Sequence, residues 1–183
     1  MKNFSVFQLA LALLSIKRSI GSDRISNISR HDFQERETFL CNTTSSSIEY
    51  ACLMIENSLV LRTNRGGRVY AGFGKLSGFQ SVIDRYLRIA DVSEAVYLFG
   101  RNDWQPPRHP NIRLITLDDD FTLTKELFLI ANSSTFNTAF IARRDETPSA
   151  AQHSYAALKT SDDSVVMSLT NAVEGVINWS IAA

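Results

Sequence analysis

The stretch from Val69 to Leu117 constrains this chain more than any other. Val69-Tyr-Ala-Gly-Phe73 and Ala95-Val-Tyr-Leu-Phe99 are β-prone. Between them, Phe79, Val82, Ile83, Tyr86, Leu87 and Ala90 recur at helical spacing. Two apolar strands flanking one amphipathic helix make a βαβ unit. A turn-rich run, Gly100 to Pro110, then leads to a further strand at Ile112-Arg-Leu-Ile-Thr-Leu117. Nothing in this unit carries a catalytic signature.

The rest of the chain extends the same pattern. Ser46-x-x-Glu49 has capping-box spacing, and Ile48, Cys52, Ile55 and Leu59 form the stripe of a helix ending near Arg62, before the turn Asn64-Arg-Gly-Gly67. Leu127 to Ala131 and Phe136 to Ala142 read as a hairpin joined by Asn132-Ser-Ser-Thr135. Thr147 to His153 reads as loop and Tyr155 to Thr160 as a short edge strand. Asp162 caps a last helix with the stripe Val165, Val166, Leu169, Val173, Val176 and Ile177. At 183 residues the chain suits one domain with a real core. The expected fold is α/β, with a mixed α+β arrangement open, built on a central mixed sheet of about five or six strands with flanking helices.

Residues 1–44 read as an N-terminal helix and a polar linker, with a short element around Glu37 to Cys41, and residues 45–183 as the folded domain. Phe4 to Ile16 superficially resembles a secretory leader. Gln8 interrupts it, Lys17-Arg18 follow it directly, and no small-x-small cleavage site precedes Asp23. The run is too short to span a bilayer, and Phe4, Phe7, Leu11 and Leu14 form the stripe of a docking helix. A cytoplasmic location follows as the expectation. Asn-x-Ser/Thr matches at Asn27, Asn42, Asn132 and Asn178 inform only if the chain is secreted.

Charge and chemistry exclude several function classes. Nineteen Lys and Arg balance nineteen Asp and Glu, so the global footprint of a nucleic-acid binder is missing, as is a polybasic tail for anionic membranes. Cys41 and Cys52 form no CxxC, which removes support for a zinc ribbon or a dithiol redox motif. His31, His109 and His153 share no ligand spacing, and no hydrolase, zinc-protease, dinucleotide or P-loop motif occurs. Asp118-Asp-Asp120 has metal-site composition, but neighbouring carboxylates point apart, and the run reads better as a solvated turn capping a short helix at Phe121 to Lys125. No catalytic residue, metal ligand or cofactor is expected. The loop Gly100 to Pro107 follows a strand, where α/β sheets bind ligands, so Arg101, Asn102, Asp103 and Trp104 are pocket candidates. The bland alternative is a rigid connection with Trp104 covering an apolar edge.

Several strings together resemble the DICT domain, a sensory domain of bacterial diguanylate cyclases and two-component proteins, abundant in cyanobacteria. They are the helix Ile48 to Leu61, Phe79 with Arg85-Tyr-Leu-Arg-Ile-Ala90, and Val96-Tyr-Leu-Phe99 before a polar loop. The resemblance continues through Ile115-Thr-Leu-Asp118-Asp-Asp120, Leu123 with Glu126-Leu-Phe-Leu-Ile130, Phe136 to Arg144, and Tyr155 to Asp162 before the closing helix. It runs from about Ser46 to Ile177. Two departures stand out: Leu127 occupies the place of a family tryptophan, and Tyr155-Ala-Ala-Leu-Lys-Thr160 is poorer in aromatics than the family strand.

The resemblance implies a non-enzymatic domain of signal transduction, in the setting of two-component or cyclic-di-GMP signalling. With no output segment following, a stand-alone version acting in trans is expected. Its partners would be a separate kinase, cyclase or transcription regulator and a small-molecule ligand, with no direct nucleic-acid contact, no membrane span, and homo-oligomerisation open. Ligand- or partner-facing residues implied are Arg85, Tyr86, Arg101, Trp104, Glu126 and Arg143, with Glu126 paired to an arginine. Two rivals remain: a small metal-dependent enzyme using Asp118 to Asp120, and an interaction module docking through the Phe4 to Ile16 helix.

Overall fold

The computed structural model describes residues 2–17, 29–61, 66–144 and 155–182. Expectations at Asn27, Arg62, Asn64, the Thr147 to His153 loop and His153 fall outside these residues. The core is one seven-stranded sheet: β1 (Thr38–Thr43), β2 (Arg68–Lys75), β3 (Ala95–Arg101), β4 (Ile112–Thr116), β5 (Glu126–Asn132), β6 (Asn137–Arg144) and β7 (Tyr155–Thr160). Their order across the sheet is β1-β7-β6-β5-β2-β3-β4. β2, β3 and β4 run parallel, and every other pairing is antiparallel. The βαβ unit and the hairpin are therefore both present, and the sheet is slightly larger than the sequence led one to expect.

Helices cover both faces, and the period-2 alternation of the strands feeds two cores. α1 (Val6–Lys17) and α5 (Asp163–Ala182) lie on one face over Tyr70, Phe99, Phe128, Ile130, Ile141 and Leu158. α2 (Arg30–Glu35), α3 (Ser45–Val60) and α4 (Ile83–Val92) lie on the other over Val69, Ala71, Val96, Leu98, Leu129 and Phe140. Each large apolar side chain buried this way contributes about 1.5–3 kcal/mol against leaving it in water. Val6, Phe7, Ala10 and Leu14 of α1 are all buried, so the predicted docking helix docks on its own sheet.

Several boundaries differ from the sequence reading. Within the expected linker, Arg30–Glu35 form α2, and the short element expected around Glu37 to Cys41 is β1, which pairs along its whole length with β7. β7 is thus an interior strand between β1 and β6, which suits its four buried residues Ala157 to Thr160. α3 begins at Ser45 behind the N-cap position Thr44, and the capping box at Ser46 does not form; Thr44 Oγ1 meets the hydroxyls of Ser46 and Ser47 instead. The single helix expected over Phe79 to Ala90 is divided into a 3₁₀ turn, Leu76–Phe79, and α4. The capping role of Asp162 holds: its Oδ1 accepts from the backbone N–H of Ser164 and Val165 at 3.0 and 3.1 Å. At the end of β2 the register with β3 shifts between Gly72 and Lys75. Gly74 takes φ +78° there, and a Cβ would stand 2.8 Å from the Thr124 carbonyl oxygen, so this irregularity requires glycine.

Candidate functional site

Beyond the carboxyl end of β2, α3 and the turn leading into α4 stand apart and leave a cleft of about 780 Å³. The position follows from the βαβ connection, since the chain leaving a parallel strand must turn outside the sheet before its helix packs back. Ile48, Cys52, Leu53, Phe73, Val82 and Leu127 form apolar walls. Ser45, Ser46, Ser81, Glu56 and Arg85 supply the polar groups.

The cleft is organised by one ion pair. Glu56 of α3 is 1% exposed, and its carboxylate accepts a hydrogen bond from the Arg85 guanidinium of α4, whose side chain keeps 34% exposure. A carboxylate buried this deeply needs its cation, so the pair ties α3 to α4. Tyr86, the next residue, is fully buried, and among the described residues its hydroxyl has no hydrogen-bond partner of ordinary geometry. Burial first, and the nearby Glu56 charge second, push that phenol well above its ordinary pKa. Burial likewise pushes the Cys52 thiol up, so it stays protonated and a poor nucleophile.

The six residues singled out from the sequence occupy separate places. Arg85 and Tyr86 share α4, with Arg85 on the cleft. Arg101 ends β3 and pairs with Asp119 at 2.8 Å. Trp104 is half-buried and packs against the α3/α4 core. Asp103 of that loop accepts from the backbone N–H and hydroxyl of Ser77 at 2.9 and 2.6 Å, anchoring the loop to the 3₁₀ turn. Hydrogen bonds from Ser77 hold its carboxyl below the usual range.

Glu126 and Arg143 face each other across β5 and β6. The carboxylate of Glu126, however, accepts from the Ser5 hydroxyl and from the backbone N–H of Val6 at 2.9 Å and Phe7 at 3.4 Å. It caps the first turn of α1, where helix N–H groups have no partner of their own. Burial raises its pKa, and these three hydrogen bonds pull the other way. Arg143 lies over the Phe7 ring, 5.2 Å from its centroid. Asp119 and Asp120 diverge, to Arg101 and to Lys2 respectively. Among the described residues no group of three His, Cys, Asp or Glu is placed to hold a metal ion.

Sequence reasoning missed Glu56. The signal was present, because a carboxylate four residues after Cys52 and eight after Ile48 sits on the apolar stripe of α3, where burial demands a cation or hydrogen-bond donors.

A family model described as the sensory domain in diguanylate cyclases and two-component systems, DICT, matches residues 35–145, more than half of the chain. The chain belongs to the DICT family. The match takes in β1 through β6 and thus the whole α3–α4 cleft. No curated protein matches the sequence. Among solved structures, the polyphosphate kinase of Porphyromonas gingivalis is similar at a TM-score of 0.60 and 11% identity, over 84% of this chain and 29% of that one. TrmBL2, an archaeal chromatin protein described with a novel mode of DNA binding, is similar at 0.52 and 13%, over 94% of this chain and 58% of that one. At such identities the likeness is one of fold alone, and this chain spans only a part of either neighbour. As a DICT domain, the chain has a sensory role in signalling. Among the described residues no helix is long and apolar enough to cross a membrane.

Proposed function

We propose that the DICT domain senses a small amphipathic molecule in the α3–α4 cleft and relays its binding, without chemistry, to a separate output protein. One observation carries the reading: Arg85 reaches from the open cleft to a carboxylate buried inside α3. A ligand that engages the guanidinium alters the balance of the pair holding the two helices, which is the differential interaction a sensor needs. Apolar walls with a few convergent polar groups are also the usual make-up of a small-molecule site. Leu127, which departs from the tryptophan of the family pattern, is one of those walls, so the ligand is set by this chain's own lining. The protonated Cys52 thiol supports the non-enzymatic reading. The output partner is a kinase, cyclase or transcription regulator in the cytoplasm.

Ser81 tests the site cleanly, being exposed, on the cleft, and outside the ion pair. Ser81→Tyr places a bulky ring in the cleft while leaving Glu56 and Arg85 unsubstituted. Protein captured from its own host carries a small-molecule adduct and co-purifies with a signalling output protein, and Ser81→Tyr loses the adduct. An adduct that persists in Ser81→Tyr places the ligand elsewhere.

A further inference from the structure

At the opposite end of β2 and β3, and on the opposite face, a second cleft of about 680 Å³ lies between α5 and the β5–β6 turn. Its lining is almost wholly polar. Asp163, Met167, Thr170, Asn171 and Glu174 form one stripe of α5 along it, with Arg68 and Glu94 at one end. Gly67 closes the wall: it takes φ +85°, and a Cβ there would stand 2.5 Å from Ser133 Cβ and 2.6 Å from the Asn132 carbonyl oxygen.

Three features point to a ligand. First, the cleft carries Asp163, Glu174 and Glu94 against the single cation Arg68. Second, each carboxylate keeps one oxygen without a hydrogen bond among the described residues. Glu174 uses Oε1 for both Tyr70, at 2.6 Å, and Arg68, at 2.5 Å. Asp163 uses Oδ1 for Asn137, at 3.0 Å, and Glu94 meets Arg68 only at 3.9 Å. The Tyr70 hydrogen bond holds Glu174 below the usual carboxylate range, so it is ionised at neutral pH. Third, Thr170 is 4% exposed, lines the cleft, and its hydroxyl has no hydrogen-bond partner among the described residues. A buried hydroxyl left without a partner costs free energy that a bound donor or acceptor would recover.

The spacing selects the ligand class. Asp163 and Glu174 are eleven residues apart on α5, about 16 Å along the helix axis. The carboxylates are too dispersed to form a metal cluster. Met167, half exposed, lies between them and offers an apolar surface for methylene groups. We propose that this cleft binds an extended aliphatic polyamine, with ammonium groups at Asp163 and at Glu174–Glu94, its methylenes on Met167, and a hydrogen bond at Thr170. This site is independent of the α3–α4 cleft.

Isothermal titration with spermine at low salt tests it, with butylamine and MgCl2 as controls. Spermine is expected to bind more than tenfold tighter than either control. Asp163→Asn weakens it about tenfold, as loss of a charge-assisted contact does, and Thr170→Val about three- to tenfold. Thr170→Val leaves the circular dichroism and melting temperature in place, because its hydroxyl makes no bond in the fold. Ser81→Tyr leaves spermine affinity unchanged, which separates this site from the sensory cleft. Spermine no tighter than MgCl2 or butylamine, or unaltered affinity in Asp163→Asn and Thr170→Val, overturns the proposal and leaves charge-driven surface association only.

Discussion

The two clefts lie at opposite ends of the same parallel strand pair, yet they hold charge in contrary ways. In the α3–α4 cleft a single carboxylate, Glu56, is buried and answered by one arginine that belongs to another helix. In the α5 cleft three carboxylates stand partly in solvent on a rigid frame, with Arg68 bridging two of them. The first arrangement adds to the apolar packing of α3 and α4 an ion pair whose loss is costly, because an unanswered buried charge is destabilising. The second presents its charge outward, screened by water and salt. A cleft of the first kind can report occupancy to the fold, and one of the second kind can only attract.

That contrast is broken or sharpened by substitution. Arg85→Ala strands Glu56 in the core, so we expect the largest loss, about 3 kcal/mol in denaturant unfolding. Glu56→Leu in the same background is expected to restore most of it. Loss below about 0.5 kcal/mol, the level of a surface pair, means the pair does not hold the helices. Gly67→Ala on the other cleft is expected to cost about 2 kcal/mol, through its positive φ and the collision with Ser133 and Asn132. Melting temperature checks it.

Acid unfolding probes the carboxylates next. Glu174 has a lowered folded pKa, so it contributes stability above its unfolded pKa that is lost as pH falls through the folded one. Glu126 has a raised folded pKa, so the folded chain binds that proton more tightly than the unfolded chain. Its contribution therefore declines as pH rises from the ordinary glutamate value towards the raised one. Chemical unfolding across acidic pH is expected to lose the first slope in Glu174→Gln and the second in Glu126→Gln. The smallest effect belongs to Thr170→Val, where stability is expected to stay within about 0.5 kcal/mol of the parent.

The sequence carried the fold further than it carried the site. Strand and helix periodicity marked the βαβ unit, the hairpin and α5, because those elements bury one continuous stripe each. The short element expected around Glu37 to Cys41 marks the place of β1, but not its role in the sheet, because its neighbours Glu35 to Glu37 are charged and its partner, β7, lies more than a hundred residues away. α3 lost its predicted cap by one residue, since Thr44, Ser45, Ser46 and Ser47 offer several equivalent N-terminal positions. Glu56 was legible as a carboxylate on the apolar stripe of α3, but its pairing with Arg85, 29 residues further along the chain, leaves no local spacing to read. Glu126 faces Arg143, whose charge favours its ionised form, but its hydrogen bonds come from the Ser5 hydroxyl and backbone N–H groups of α1, and no sequence motif announces them.

The central claim is that occupancy of the α3–α4 cleft is what this DICT domain senses, and native mass spectrometry of protein purified from its own host tests it most directly. A small-molecule adduct is expected on the parent chain and none on Ser81→Tyr. A parent chain without adduct, or an adduct equally present on Ser81→Tyr, contradicts it.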